Sequence, residues 1–146
     1  MNKKIKCILV KPNVPSEVIE IEKENYFDEL YRLCNCEYLQ AKEFHSLVDG
    51  ELVAYFDEDG KLKEGAVFNR TLSFEQEFVD VYGQYHPQGE VYDHIVGNFV
   101  LIKYDGQDWE EPVSMNDDEI RKVIHYFDEV EKMQEPENDM ALGYTM

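Results

Sequence analysis

An α+β fold with a mainly antiparallel sheet is what this sequence predicts, and three observations predict it. The stretch Gly89 to Tyr104 holds an unbroken apolar run from Phe99 to Ile102, β-branched and aromatic, which reads as a central strand buried on both faces. Asp49-Gly50 and Asp57 to Gly60 follow one another between extended stretches, and two hairpin turns in succession favour antiparallel neighbours because parallel ones need long crossovers. Stretches of helical period interrupt these strands and supply the helices that cover the sheet.

Taken in order, Ile5 to Val10 and Glu17 to Glu22 are expected to pair as a hairpin around the prolines, with Ile19 and Ile21 on one face. Asn25 can cap a helix whose Phe27, Leu30, Tyr31 and Cys34 share a face and which ends near Asn35. A meander should follow: Glu43 to Val48, the turn Asp49-Gly50, Leu52 to Phe56, the turn Asp57 to Gly60, then Lys61 to Lys63. Ala66 to Leu72 continues extended or irregular. From Ser73 the residues Phe74, Phe78, Val81, Tyr82 and Tyr85 recur at helical spacing, so a short helix is expected, opened by Ser73 and Gln76 and ended by His86-Pro87-Gln88-Gly89. Gly97 inside the central stretch marks a bulge, or a place where another backbone or a ligand comes close.

The last helix carries the strongest signal. Asn116 is a good N-cap, Glu119 stands at the capping-box position, and Asp117 and Asp118 suit the positive end of the helix dipole. Ile120, Val123, Ile124, Phe127 and Val130 form a stripe running to about Glu131, which should pack on one sheet face. A single domain over residues 1–134, with an insert at about 73–88, and a mobile acidic tail over 135–146 follow.

Charge narrows the function more than any motif does. Against 32 Asp and Glu stand 14 Lys and Arg, a net charge of -18, which opposes direct binding to nucleic-acid phosphates and favours a basic partner. The imbalance is uneven, with 14 acids and 10 bases in residues 1–70 but 18 acids and 4 bases in 71–146. Cys7, Cys34 and Cys36 come without a signal peptide or a membrane-length apolar run, so a reducing, cytoplasmic setting is expected. Cys34-Asn35-Cys36 has one residue between its thiols where zinc sites use two or more, and a second pair is missing; ordinary buried thiols fit better. His86, His94 and Asp93 would make a metal site only if their loop folded back on itself. No metal or cofactor is expected, and no nucleophile, phosphate-loop or zinc-protease motif points to an enzyme.

Asn69-Arg70, Gly89-Glu90-Val91-Tyr92-Asp93, Gly97-Asn98-Phe99 and Ser114-Met115-Asn116-Asp117-Asp118-Glu119-Ile120 together resemble an uncharacterised family, domain of unknown function 3846. The likeness runs from about Ile5 to Phe127, and it implies a setting in phages, conjugative plasmids and related bacterial mobile elements, with no catalytic motif. The chain departs from the pattern between Leu72 and Gly89, where the family's link is much shorter.

Two function classes fit. In the first, an acidic interaction protein binds a basic host protein, its carboxylates standing in for nucleic-acid phosphates as an anti-defence protein would require; Glu110, Glu111, Asp117, Asp118, Asp128, Glu129 and Glu131 form the expected face. In the second, Asn69, Arg70, Asp93 and the backbone at Gly97, beside Phe99, line a pocket for a nucleotide-like molecule. Arg70, isolated in an acidic chain, is expected to pair with a carboxylate, Asp93 being the leading candidate.

Overall fold

The computed structural model describes residues 3–106 and 111–135; the expected tail beyond Glu135, Trp109 and Glu110 lie outside them. The architecture is the expected α+β arrangement. Strands β1 (Lys4–Val10), β2 (Glu17–Glu22), β3 (Leu39–Phe44), β4 (Glu51–Asp57) and β9 (Phe99–Tyr104) form an antiparallel sheet in the order β2-β1-β9-β4-β3. β10 (Pro112–Val113) extends it by pairing with Lys103 and Tyr104 of β9.

The apolar run sits where its composition puts it, on the strand between β1 and β4. Phe99, Val100, Leu101 and Ile102 are all buried, and alternation divides them between two cores. Phe99 and Leu101 join Ile8, Val10, Leu52 and Ala54 on one side, where α2 (Asp117–Phe127) packs through Val123 and Phe127, with Ile120 and Ile124 partly buried. Val100 and Ile102 join Cys7, Leu9, Val53 and Tyr55 on the other, beneath α1 (Tyr26–Cys34). Among those residues the hydroxyl of Tyr104 lies 2.7 Å from both Tyr26 and Tyr55, a hydrogen-bonded chain that satisfies polar atoms in the second core.

Six expectations about these elements need correction. Gly89 to Tyr104 is two strands, because β8 (Val91–Val96) leaves the main sheet and pairs with β5 (Phe68–Ser73); Gly97, at φ 72°, makes the turn between β8 and β9 and is no bulge. β3 begins four residues before the expected strand, and residues 45–50 form a loop. Its backbone donors have found tertiary acceptors: His45 and Ser46 donate to Glu75, and Asp49 donates to Glu119. Gly50 is required twice over, by its backbone at φ 106° and by the carbonyl of Tyr104, which a Cβ there would strike. Lys61 to Lys63 is no third meander strand, since Gly60–Leu62 is a turn of 3-10 helix.

The fourth correction concerns α1. Asn25 does stand at its start, but with a left-handed backbone and no side-chain cap, and Leu30 and Cys34 are buried while Phe27 and Tyr31 remain 43% and 38% exposed. The fifth is the insert. Instead of a helix, Phe78–Val79 (β6) and Tyr85–His86 (β7) pair as a small separate hairpin. Asp80 explains the choice, because its Oδ1 accepts the amides of Tyr82 and Gln84, which a helix would require for itself. The terminal helix, by contrast, has both hydrogen bonds of the capping box between Asn116 and Glu119. It stops at Phe127, and the short α3 (Val130–Met133) follows with Val130 68% exposed rather than in the stripe.

Candidate functional site

Arg70 is the largest fully buried side chain described, and every one of its five N–H donors has an acceptor. Nε donates to the carbonyl of Phe127 at 2.8 Å; one terminal nitrogen reaches Asn69 Oδ1 at 2.7 Å and Lys11 O at 3.4 Å; the other reaches Val14 O at 2.8 Å and Asp128 Oδ1 at 3.1 Å. The partner carboxylate is therefore Asp128 and not Asp93. Asp128 sits at the C-terminal end of α2, where the helix dipole also favours a cation, and it accepts the amide and hydroxyl of Ser16 besides. Asn69 completes the knot by donating to Val10 O and Gly97 O. The Asn-Arg pair thus ties the β1-β2 turn, the β8-β9 turn and the end of α2 together, leaving no donor for an anion.

The other members of the expected pocket lie elsewhere. Asp93 pairs with Lys42 at 3.3 Å and Lys61 at 2.5 Å; burial opposes its ionisation, but these lysines and the amide of His94 still hold it below the ordinary carboxylate range. Gly97 borders a cleft of about 350 Å³ with Pro12, Asn35, Asp57, Lys63 and Asn98, and neither Arg70 nor Asp93 lines it. Phe99 is core. Cys34 donates to Tyr55 O, and burial pushes both it and Cys7 up to about 12, so neither supplies a thiolate nucleophile at neutral pH.

The expected acidic face is distributed along α2. Asp117 and Asp118 stand exposed at its start, and the half-buried Glu129 and exposed Glu131 lie just past its end, about 16 Å away for a helix of eleven residues. Glu111 pairs with Lys23, Asp118 with Arg121 and Glu129 with Lys132. Asp128 belongs to the Arg70 knot and cannot be changed without disturbing the fold. Among the described residues ten of the fourteen Lys and Arg side chains pair with a carboxylate, so little positive charge is left to face a partner.

The β6-β7 hairpin was missed as such by periodicity, and its detail is informative. His86 stacks on Phe78 and lies between two carboxylates, with Nε2 2.8 Å from Asp80 and Nδ1 2.5 Å from Glu90. Two acceptors on two ring nitrogens require the doubly protonated ring, so the hydrogen bonds it donates to Asp80 and then Glu90 raise the His86 pKa, and the same His86 bond lowers that of Asp80. A raised histidine contributes fully below its ordinary 6.5 and loses its contribution as pH rises through the folded value. A depressed aspartate contributes fully above its ordinary 3.8 and loses its contribution as pH falls. The clamp should therefore be complete at about pH 5 to 6. Amide exchange at Tyr82 and Gln84 should be slowest there, relative to the intrinsic rate, and the loss of protection toward pH 9 should vanish in His86→Gln; equal protection at pH 5.5 and pH 9 would refute it.

The family model for the domain of unknown function (DUF3846) matches residues 5–128, most of the chain. The chain belongs to that family. The Asn69-Arg70, Gly97 and Asn116 to Glu119 elements that carry the likeness are the knot, the sheet-crossing turn and the helix cap, all of which build the fold. No curated protein and no solved structure matches the chain. Among the described residues no helix is long and apolar enough to cross a membrane.

Proposed function

We propose that this is a non-enzymatic, cytoplasmic accessory protein of a phage or mobile element that binds a basic host protein through its carboxylates. In its sharpest form those carboxylates occupy a groove that otherwise holds nucleic-acid phosphates, as an anti-defence protein would. The supporting observation is the disposition of charge: most bases are neutralised in intramolecular ion pairs, while Asp117 and Glu131 are exposed and the segment between Arg70 and Lys103 contains no Lys or Arg. Such a surface attracts a cationic partner over distances set by the Debye length, about 8 Å at physiological ionic strength. A small-molecule module at Arg70 has less support, because the guanidinium has no donor to offer a ligand.

Immobilised protein should retain basic proteins from a bacterial lysate, release them on a rising salt gradient, and lose them to competing duplex DNA if the groove is a nucleic-acid site. Changing Asp117, Glu131 and Glu135 together to Lys should weaken that binding at least tenfold at low salt while leaving the melting temperature within a few degrees, since all three are exposed. Binding that survives both high salt and this reversal would remove the electrostatic reading.

A further inference from the structure

The hairpin of β6 and β7 ends in a turn that is ordered without being packed. Asp80 N donates to Gln84 O, Gly83 N donates to Asp80 O, and the Asp80 carboxylate takes two more amides and His86. At the root, Phe74 lies against Phe78, His86 and Tyr92, and the backbone of Phe74 bonds Glu90 and Gly89. Tyr85 donates its hydroxyl to Glu77. Yet Val81 and Tyr82, at the tip of this braced element, are 93% and 92% exposed, and the cross-strand pair Val79 and Tyr85 is 62% and 55% exposed. Hydrogen bonds therefore hold the tip in place while its apolar side chains contribute nothing to the core.

We propose that the β6-β7 hairpin is the docking element for a protein partner, inserting Val81 and Tyr82 into an apolar pocket rimmed by Lys and Arg. The inference rests on the carboxylate reading above and names its anchor. Interface energy concentrates in a few apolar and aromatic anchors, and an anchor already held in its bound geometry loses less entropy on association. Charge selects the occupant. Residues 74–90 carry Glu75, Glu77, Asp80 and Glu90 and no Lys or Arg, so a pocket that takes the tip must tolerate carboxylates around it. A second copy of the chain, itself at -18, would set acid against acid.

The test places the photocrosslinking residue benzoylphenylalanine at position 82 of the full chain, in lysate at 0.15 M salt, and identifies the crosslinked peptide. The result expected is a peptide from a basic protein; that protein, purified, should bind the double variant V81S/Y82S about 30-fold or more weakly than the parent, at low and high salt alike. The variant should keep the parent's melting temperature, since neither side chain is packed. Unchanged affinity in V81S/Y82S, with binding still lost on charge reversal, overturns the hairpin inference and leaves the carboxylate reading standing. Affinity lost in V81S/Y82S but indifferent to salt and charge reversal overturns the basic partner, and the carboxylate reading with it. A crosslink to a second copy, with a dimer in sedimentation that V81S/Y82S abolishes, also overturns it.

Discussion

Arg70→Ala is expected to destabilise the fold by about 3 to 5 kcal/mol, the range seen when one partner of a buried ion pair is removed. The truncation strands the Asp128 carboxylate and leaves the carbonyls of Val14 and Phe127 without their donor, all in a region where Arg70 itself has no exposed surface. Ser16 would still donate to Asp128, which limits the loss but cannot supply a charge. Asp93→Asn serves as the comparison. Its lysine partners are partly exposed, so it should cost about 1 kcal/mol or less. Urea melts of the two variants separate the assignments: a mild Arg70→Ala beside a severe Asp93→Asn would mean that the Arg70 knot is drawn wrongly.

Phe127→Ala should cost a similar amount, about 3 to 5 kcal/mol, through lost apolar burial and the cavity left behind. The ring is fully buried, edge-on to Phe44 at 5.3 Å and to Phe99 at 5.6 Å, so it joins α2 to both an outer and a central strand. Its carbonyl is also the acceptor for Arg70 Nε, so backbone relaxation around the cavity would loosen the knot. The two substitutions should therefore be non-additive in a double-mutant cycle. A loss below about 1 kcal/mol would show that the stripe on α2 is not core.

Some of this molecule is legible in the sequence alone, for a common physical reason: the decisive interactions are local or periodic. The run Phe99 to Ile102 is apolar at successive positions, and only a strand covered on both faces buries both sets. The Asn116 to Glu119 box lies within one helical turn, so its two hydrogen bonds follow from spacing. The hairpin of β1 and β2 likewise needs only alternation and two prolines. Tertiary structure decided the rest. Arg70 chose Asp128 over Asp93 because α2 delivers its C-terminal end, with unbonded carbonyls, to the buried side of β5, 58 residues away in sequence. β8 and β9 parted into two sheets because Gly97 turns the chain between them. Phe74, Phe78, Tyr82 and Tyr85 have the spacing of a helical stripe, yet a stripe forms a helix only when some surface receives it. Here Asp80 took the amides a helix needed and no surface met Tyr82, so the same residues became a hairpin with its aromatic tip in water.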